Sequence, residues 1–298
     1  SEGKIKTNED YLHAEVITVG GAGRGKLTLS ERGEIISDSI VIGQKKQSEG
    51  VLNIGSSKSR GKETPFNGTL DVQTIHFGKG KGTLNFNSSL ATNEFLPTLT
   101  GSGSLNLYSG SHILTTSNTF DGHTYIHEGT VQIGNGETKG RLGGKIINHS
   151  KIIFDRSDDI FYKNISGTGA LVKRGKGELT LGKKSTYSGL TTVQAGKLKI
   201  NDTLNNSPII VKRGAVLEAS GEIKSLSSNG ITSLGEKNRK LIVNENTSFK
   251  KNHTLICTID DQSKSDSILI KGQAHLGGKL SIILNDNLQS IPFTYTLL

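Results

Sequence analysis

Short runs in which apolar and polar residues alternate recur along the whole chain. GKLTLS (25–30), GVLNIG (50–55), GTLNFN (82–87), GSLNLYSG (103–110), GTVQIG (129–134), GELTLG (177–182) and GKLKIN (196–201) share one grammar. A period of two over four to six residues predicts a strand with one buried face. Leu27, Leu29, Leu84, Phe86, Val131, Ile133, Leu179 and Leu181 fall on that face. Glycine brackets nearly every run and supplies the backbone freedom for a turn. No segment sustains the i, i+3, i+4, i+7 spacing of a long helix.

The grammar also repeats at long range. NTFDGHTYIHEGTVQI (118–133) aligns without gaps on STYSGLTTVQAGKLKI (185–200), an offset of 67 residues. Phe120 matches Tyr187, Thr124 matches Thr191, and Gly129 matches Gly196. At about 20–25 residues per β-solenoid coil, the offset predicts three coils between copies. The expected fold is all-β: a right-handed parallel β-helix with two or three short strands per coil. Coils would lie about 4.8 Å apart, the ordinary strand spacing.

Composition fits a thin core. The chain has 38 Gly, 4 Pro and 32% hydrophobic residues. A stacked solenoid needs little apolar mass, because each coil is buried by its neighbours. One cysteine, Cys257, excludes an internal disulfide and reads as an apolar filler. No run of about 20 apolar residues spans a bilayer as a helix. The lack of any methionine, an initiator included, is what a processed chain would show.

Residues 167–200, GTGALVKRGKGELTLGKKSTYSGLTTVQAGKLKI, resemble the passenger-associated transport repeat of bacterial autotransporters. That pattern is a GxGxLxKxGxGxLxL strand pair, an (N/S)TY(S/T)GxTTV turn and a closing xxGxLxI. The earlier copy is a degenerate version with Asp121-Gly122-His123 for Ser-Gly-Leu. Downstream, Asp266, Leu269, Gly272, Ala274, Leu276, Gly277, Gly278 and Leu280 are similar to the C-terminal passenger region of AIDA-type autotransporters. The resemblance implies one continuous solenoid, with residues 1–220 as β-helix and 221–298 as a capping, autochaperone-like region. It implies export through the outer membrane to the cell surface or the medium, with the chain's own C-terminal β-barrel as export partner. Size, Lys/Asn/Ile bias and the C-terminal block also resemble the short Bartonella autotransporters of angiogenic-factor type, which implies a host receptor as partner.

Candidate chemistry is thin. GGAGRGK (20–26) has P-loop spacing, but Leu27 stands where Ser or Thr would hold magnesium, and a strand follows instead of a helix. Ser102 and Ser109 lack the acidic neighbour of an autotransporter serine protease nucleophile. His123 and His127, four apart in a strand, lie about 13 Å apart, too far to share a metal. Asp158 and Asp159 point opposite ways if extended, which argues against a glycosidase pair. No catalytic, cofactor or metal set is therefore assigned. The net charge of +9 is partly carried in pairs: Lys45-Lys46, Lys173-Arg174, Lys183-Lys184, Lys212-Arg213 and Lys250-Lys251. Stacking would turn such pairs into a basic stripe, and Lys173, Arg174, Lys183, Lys184, Lys212 and Arg213 form the expected contact face. Its partners would be a host-cell receptor or an acidic glycan. No nucleic-acid-binding motif is present. Loops 44–50, 56–67 and 139–149 are further contact candidates. The reading is a surface contact protein, not an enzyme. The alternatives are a glycan-processing β-helix enzyme and a self-associating rod.

Overall fold

The computed structural model describes residues 2–7, 11–30, 32–55, 68–88, 93–162, 164–182, 185–235, 240–259 and 266–284. Every strand pairing among these is parallel. The strands form sheets of 8, 12, 7 and 4 members, with partners far apart in sequence, so the chain coils as a parallel β-solenoid. The early coils use the eight-stranded and four-stranded sheets. The eight-stranded sheet runs on to Ile165–Ser166, while the four-stranded sheet ends at Thr98–Gly101; the twelve-stranded sheet begins at Asn93–Phe95 and the seven-stranded sheet at Ile160–Tyr162.

Register converts the alternating pattern into rows. Leu27 stacks on Leu52, then Leu84, Leu105, Thr124, Ile146 and Ile165, one residue per coil. None of these is more than 2% exposed. A second row runs Leu179, Leu198, Leu217. All eight residues assigned to the inner face are buried. Outward residues stack too. Asn53 donates to Thr28 (3.0 Å), Asn85 to Asn53 (2.9 Å) and Asn106 to Asn85 (2.9 Å), an amide ladder along one sheet. Lys197 bridges Glu178 and Glu218 at 2.8 Å each, and Lys199 reaches Glu218 at 2.8 Å.

The 67-residue repeat is not a whole number of coils. Val131 stacks on Ile152, Leu171 and Thr191, so three coils bring it to Thr191 and not to its sequence match Leu198. His123–Ile126 lies in the eight-stranded sheet, but its counterpart Thr191–Val193 lies in the twelve-stranded one. Thr130–Ile133 is in the twelve-stranded sheet and Lys197–Ile200 in the seven-stranded one. The second copy is three coils plus one side further along.

The copies solve the same corner differently. Tyr187 is fully buried, and its hydroxyl lies 2.6 Å from Thr191 Oγ1, which lies 2.7 Å from Ser207 Oγ; Ser207 donates to the Gly189 carbonyl (2.6 Å). In the first copy Phe120 replaces the tyrosine, and buried Thr124 Oγ1 has no partner. Asn118 in turn braces the first corner, accepting from Leu99 N–H (2.6 Å) and donating to the Arg141 carbonyl (2.8 Å). Its counterpart Ser185 leaves a buried hydroxyl unpaired. Gly129 and Gly196 close both copies at φ +79° and +63°, where a Cβ would lie 2.1 Å from the Gly110 carbonyl and 2.4 Å from that of Gly175.

The stack continues across residue 220. Gly221–Ser228 pairs with Leu204–Val211 on one side and with Lys240–Val243 and Thr247–Phe249 on the other. In the last described coil Leu269, Leu276, Leu280, Ile282 and Ile283 are exposed.

Phe120→Tyr is expected to supply Thr124 with its missing partner and raise stability by about 1 kcal/mol. Tyr187→Phe should lower it by a similar amount. Denaturant midpoints of the two variants moving in opposite directions would bear this out; two losses of equal size would show that the corners are not equivalent.

Candidate contact surface

A strand's pleat decides which member of a basic pair reaches solvent. Lys173 lies in the buried row between Phe154 and Val193, and only 2% of it is exposed. This corrects its placement on the contact face: its neighbour Arg174 points out, so Lys173 must point in. The ammonium donates to the carbonyls of Gly175 (2.8 Å), Arg174 (3.2 Å) and Ala195 (3.3 Å). Burial pulls its pKa down to about 8, while Asp155 and Asp159 act to hold the proton.

Arg174, by contrast, begins a ridge. Beneath it the chain turns a corner after each strand of the twelve-stranded sheet, and each corner residue hangs from the coil before. Gln194 N–H donates to Lys173 (2.8 Å), Lys212 N–H to Val193 (2.8 Å), Asn229 N–H to Val211 (2.9 Å) and Lys250 N–H to Ser228 (2.8 Å). The corner row is therefore Arg174, Gln194, Lys212, Asn229, Lys250, at about 4.8 Å per coil. Lys212 and Lys250 stand two coils apart, roughly 10 Å. Arg213 and Lys251 follow them in the chain, and all four cations are exposed. Arg174 is partly neutralised, since it bonds Asp155 (2.8 Å) and Gln132 (2.8 Å). Lys183 and Lys184 lie outside the described residues. Of the six residues expected on a basic face, then, Arg174, Lys212 and Arg213 share one corner, and Lys250-Lys251 extends it.

The loops divide similarly. In 44–50, Ser48 Oγ donates to the Lys45 carbonyl (2.7 Å) and accepts its N–H (2.9 Å), which presents Lys45 and Lys46 to solvent. Residues 56–67 lie outside the described residues. Within 139–149 the loop is 139–144 and His149; Lys145–Asn148 is a strand that buries Ile146 and Asn148. Arg156 pins this loop through the carbonyls of Thr138 and Gly140.

A scan against protein-family models matches the Passenger-associated-transport-repeat at residues 98–133 and 171–200, covering both copies described above. Curated relatives agree. One is the "Adhesin BmaC autotransporter" of Brucella suis biovar 1, 35% identical over 108 residues, 36% of this chain and 3% of that protein. Another is the "Neisserial autotransporter lipoprotein NalP" of Neisseria meningitidis serogroup B, 30% identical over 145 residues, 45% of this chain and 13% of that one. The chain carries autotransporter passenger repeats. Passengers of this kind are exported through the outer membrane to the cell surface or beyond. The segment matches only a small part of the length of these relatives, and no solved structure matches it.

Within the passenger, Ser109, Asp158 and Asp159 are engaged in holding the coils. Ser109 is buried and donates to Asn87 and Ser88 (3.1 Å each). Asp158 takes a bidentate grip from Arg156 (2.8 and 2.6 Å), which lowers its pKa, and Asp159 accepts the Glu178 N–H (2.9 Å). A strand, Arg24–Leu29, follows the P-loop-like glycines. His123 and His127 flank Tyr125 on one outward face, with ring centroids 6.2 and 6.1 Å from it, and Tyr108 stacks on His127 at 4.7 Å. Among the described residues no three His, Cys, Asp or Glu gather as a metal site. Cys257 is half-buried on Thr254–Ile259, and burial raises its pKa.

His112 escaped notice in the sequence, although alternation in SHIL already puts it on the face of Leu114. It is 4% exposed and its ring lies 4.4 Å from that of Phe86. Burial drags its pKa from 6.5 to about 4, against a ring hydrogen bond to the Ser109 backbone that raises it. The folded passenger keeps this ring neutral where the unfolded chain takes a proton. The contribution to stability is present above pH 6.5 and is lost as pH falls towards 4. His112→Leu is therefore expected to flatten the acid side of the stability profile, by up to about 3 kcal/mol at pH 4. Denaturant titrations from pH 7 to 4 measure it; parallel profiles for the two proteins would contradict it.

Proposed function

We propose that this passenger is a surface contact protein that binds an acidic glycan or anionic receptor on host cells along the corner ridge of Lys212, Arg213, Lys250 and Lys251. The carrying observation is that backbone pairing brings these two basic pairs, far apart in sequence, into one row. Stacked cations raise the local potential and steer an anionic partner more than isolated surface lysines do. On the seven-stranded sheet, by contrast, Lys197 and Lys199 are held by Glu178 and Glu218. Similarity to a protein named as an adhesin supports the same reading. A signalling ligand, pro-angiogenic in the narrowest version, is the same contact read by the host cell as a signal. In the full-length protein the export partner would be its own outer-membrane β-barrel.

Binding of the purified chain to cultured host cells tests this. Reversal of the ridge (Lys212→Glu, Arg213→Glu, Lys250→Glu, Lys251→Glu) is expected to weaken binding about tenfold or more and to remove competition by heparin and by salt. Reversal of Lys45 and Lys46, exposed on another part of the rod, should change it little. Equal binding by the ridge variant would sink the proposal.

A further inference from the structure

The turn that carries Lys250 and Lys251 ends on a buried histidine. His253 is 1% exposed, and its ring stacks on that of Phe249 with centroids 3.9 Å apart and planes 13° apart. Its Nδ1 lies 2.9 Å from Ser228 Oγ in the coil before, and the ring also bonds the Gly230 backbone. Nε2 is buried and has no partner. A neutral ring with its one proton on Nδ1 satisfies this site. A second proton has only Nε2 to occupy, where it would add a buried charge with no acceptor. Burial accordingly holds the ring's pKa below the usual histidine value.

The surroundings do not compensate such a charge. Lys250 and Lys251 stand on the turn itself, and the coil above brings Lys271, His275 and Lys279, all exposed. The coil before meets the turn through Ser228, Asn229 and Gly230, with Lys212 and Arg213 one coil further down. The carboxylates on the packed elements are turned to other partners. Glu245 pairs with Lys224 (4.0 Å), Glu222 accepts from Asn244 (3.3 Å), and Asp266 accepts the Thr258 N–H (2.6 Å).

The same turn supports the coil above it. His253 N–H closes on the Lys250 carbonyl (2.9 Å), and the His253 carbonyl accepts the N–H of Lys279 (2.9 Å), the first residue of Lys279–Leu284. Gly278 crosses so close that a Cβ there would lie 2.2 Å from that carbonyl. Lys279–Leu284 pairs with Thr254–Ile259 and is the last strand of the seven-stranded sheet among the described residues.

We propose that His253 is an acid-sensitive latch, whose protonation opens turn 250–253 and frees Thr254–Ile259 and Lys279–Leu284 while the coils below stay paired. An opened turn takes up a proton as a free imidazole does, near pH 6.5. The latch is therefore shut above that pH and weakens as pH falls below it. It rests on the geometry of this turn and not on what the ridge binds, although opening takes Lys250 and Lys251 out of the ridge.

Hydrogen exchange of the full chain, read by mass spectrometry at pH 7 and pH 5 as protection factors, tests this. Protection over 254–259 and 279–284 is expected to fall about tenfold at pH 5. It should fall by no more than about thirtyfold, the ratio of protonated to neutral imidazole at that pH for a pKa of about 6.5. Lys197–Ile200, in the same sheet, should keep its protection. His253→Phe keeps an aromatic ring against Phe249 and cannot titrate, so its two strands should be equally protected at both pH values. Equal protection of these strands at pH 7 and pH 5 in the wild-type chain would overturn the proposal, a result that needs no variant to fold. So would a loss shared in equal measure by Lys197–Ile200, or one that persists in His253→Phe.

Discussion

The structure depends on one constraint: each coil hydrogen-bonds in parallel to the next, so every residue sits on a counterpart about 4.8 Å away. A side chain cannot be placed alone; it joins a row. Inside, rows of Leu and Ile exclude water with little apolar mass. Outside, the same rule builds the amide ladder of Asn53, Asn85 and Asn106 and the ion-pair ladder around Lys197. At the corners it leaves so little room that Gly129 and Gly196 face carbonyls where a Cβ would stand.

The same constraint explains where polar groups are costly. A polar residue in an inner row must find its partner within one coil or go without. Lys173 finds three carbonyls by extending beyond the row. Thr191 finds Tyr187 and Ser207, but its equivalent Thr124, in the copy that has Phe120 for the tyrosine, finds nothing. His112 and Ser88 are left unpaired where the sheets change over and the packing opens into a cavity.

Much of the fold was legible in the sequence because period-two alternation and a gapless repeat are local signals. Leu27, Leu84, Val131 and Leu179 could be placed on the inner face from their own neighbours. The number of coils in 67 residues could not, since the sides of the solenoid are nearly equivalent to a strand and the repeat advances by one of them. The contact surface was half legible. Basic pairs are visible in the sequence, but a pleat puts Lys173 inside and Arg174 outside. Lys212-Arg213 and Lys250-Lys251 lie 38 positions apart, and only register places them in one row. The cavity was not legible, because it arises from a change of sheets that no local pattern marks.

Strand register and pleat decide which basic residues this passenger shows to solvent. Thiol labelling tests it most directly. Lys173→Cys and Arg174→Cys are made separately in a Cys257→Ser background and exposed to a maleimide under native and denaturing conditions. Rapid native labelling is expected at position 174, and labelling at position 173 only after unfolding. Equal native labelling at both positions would contradict it.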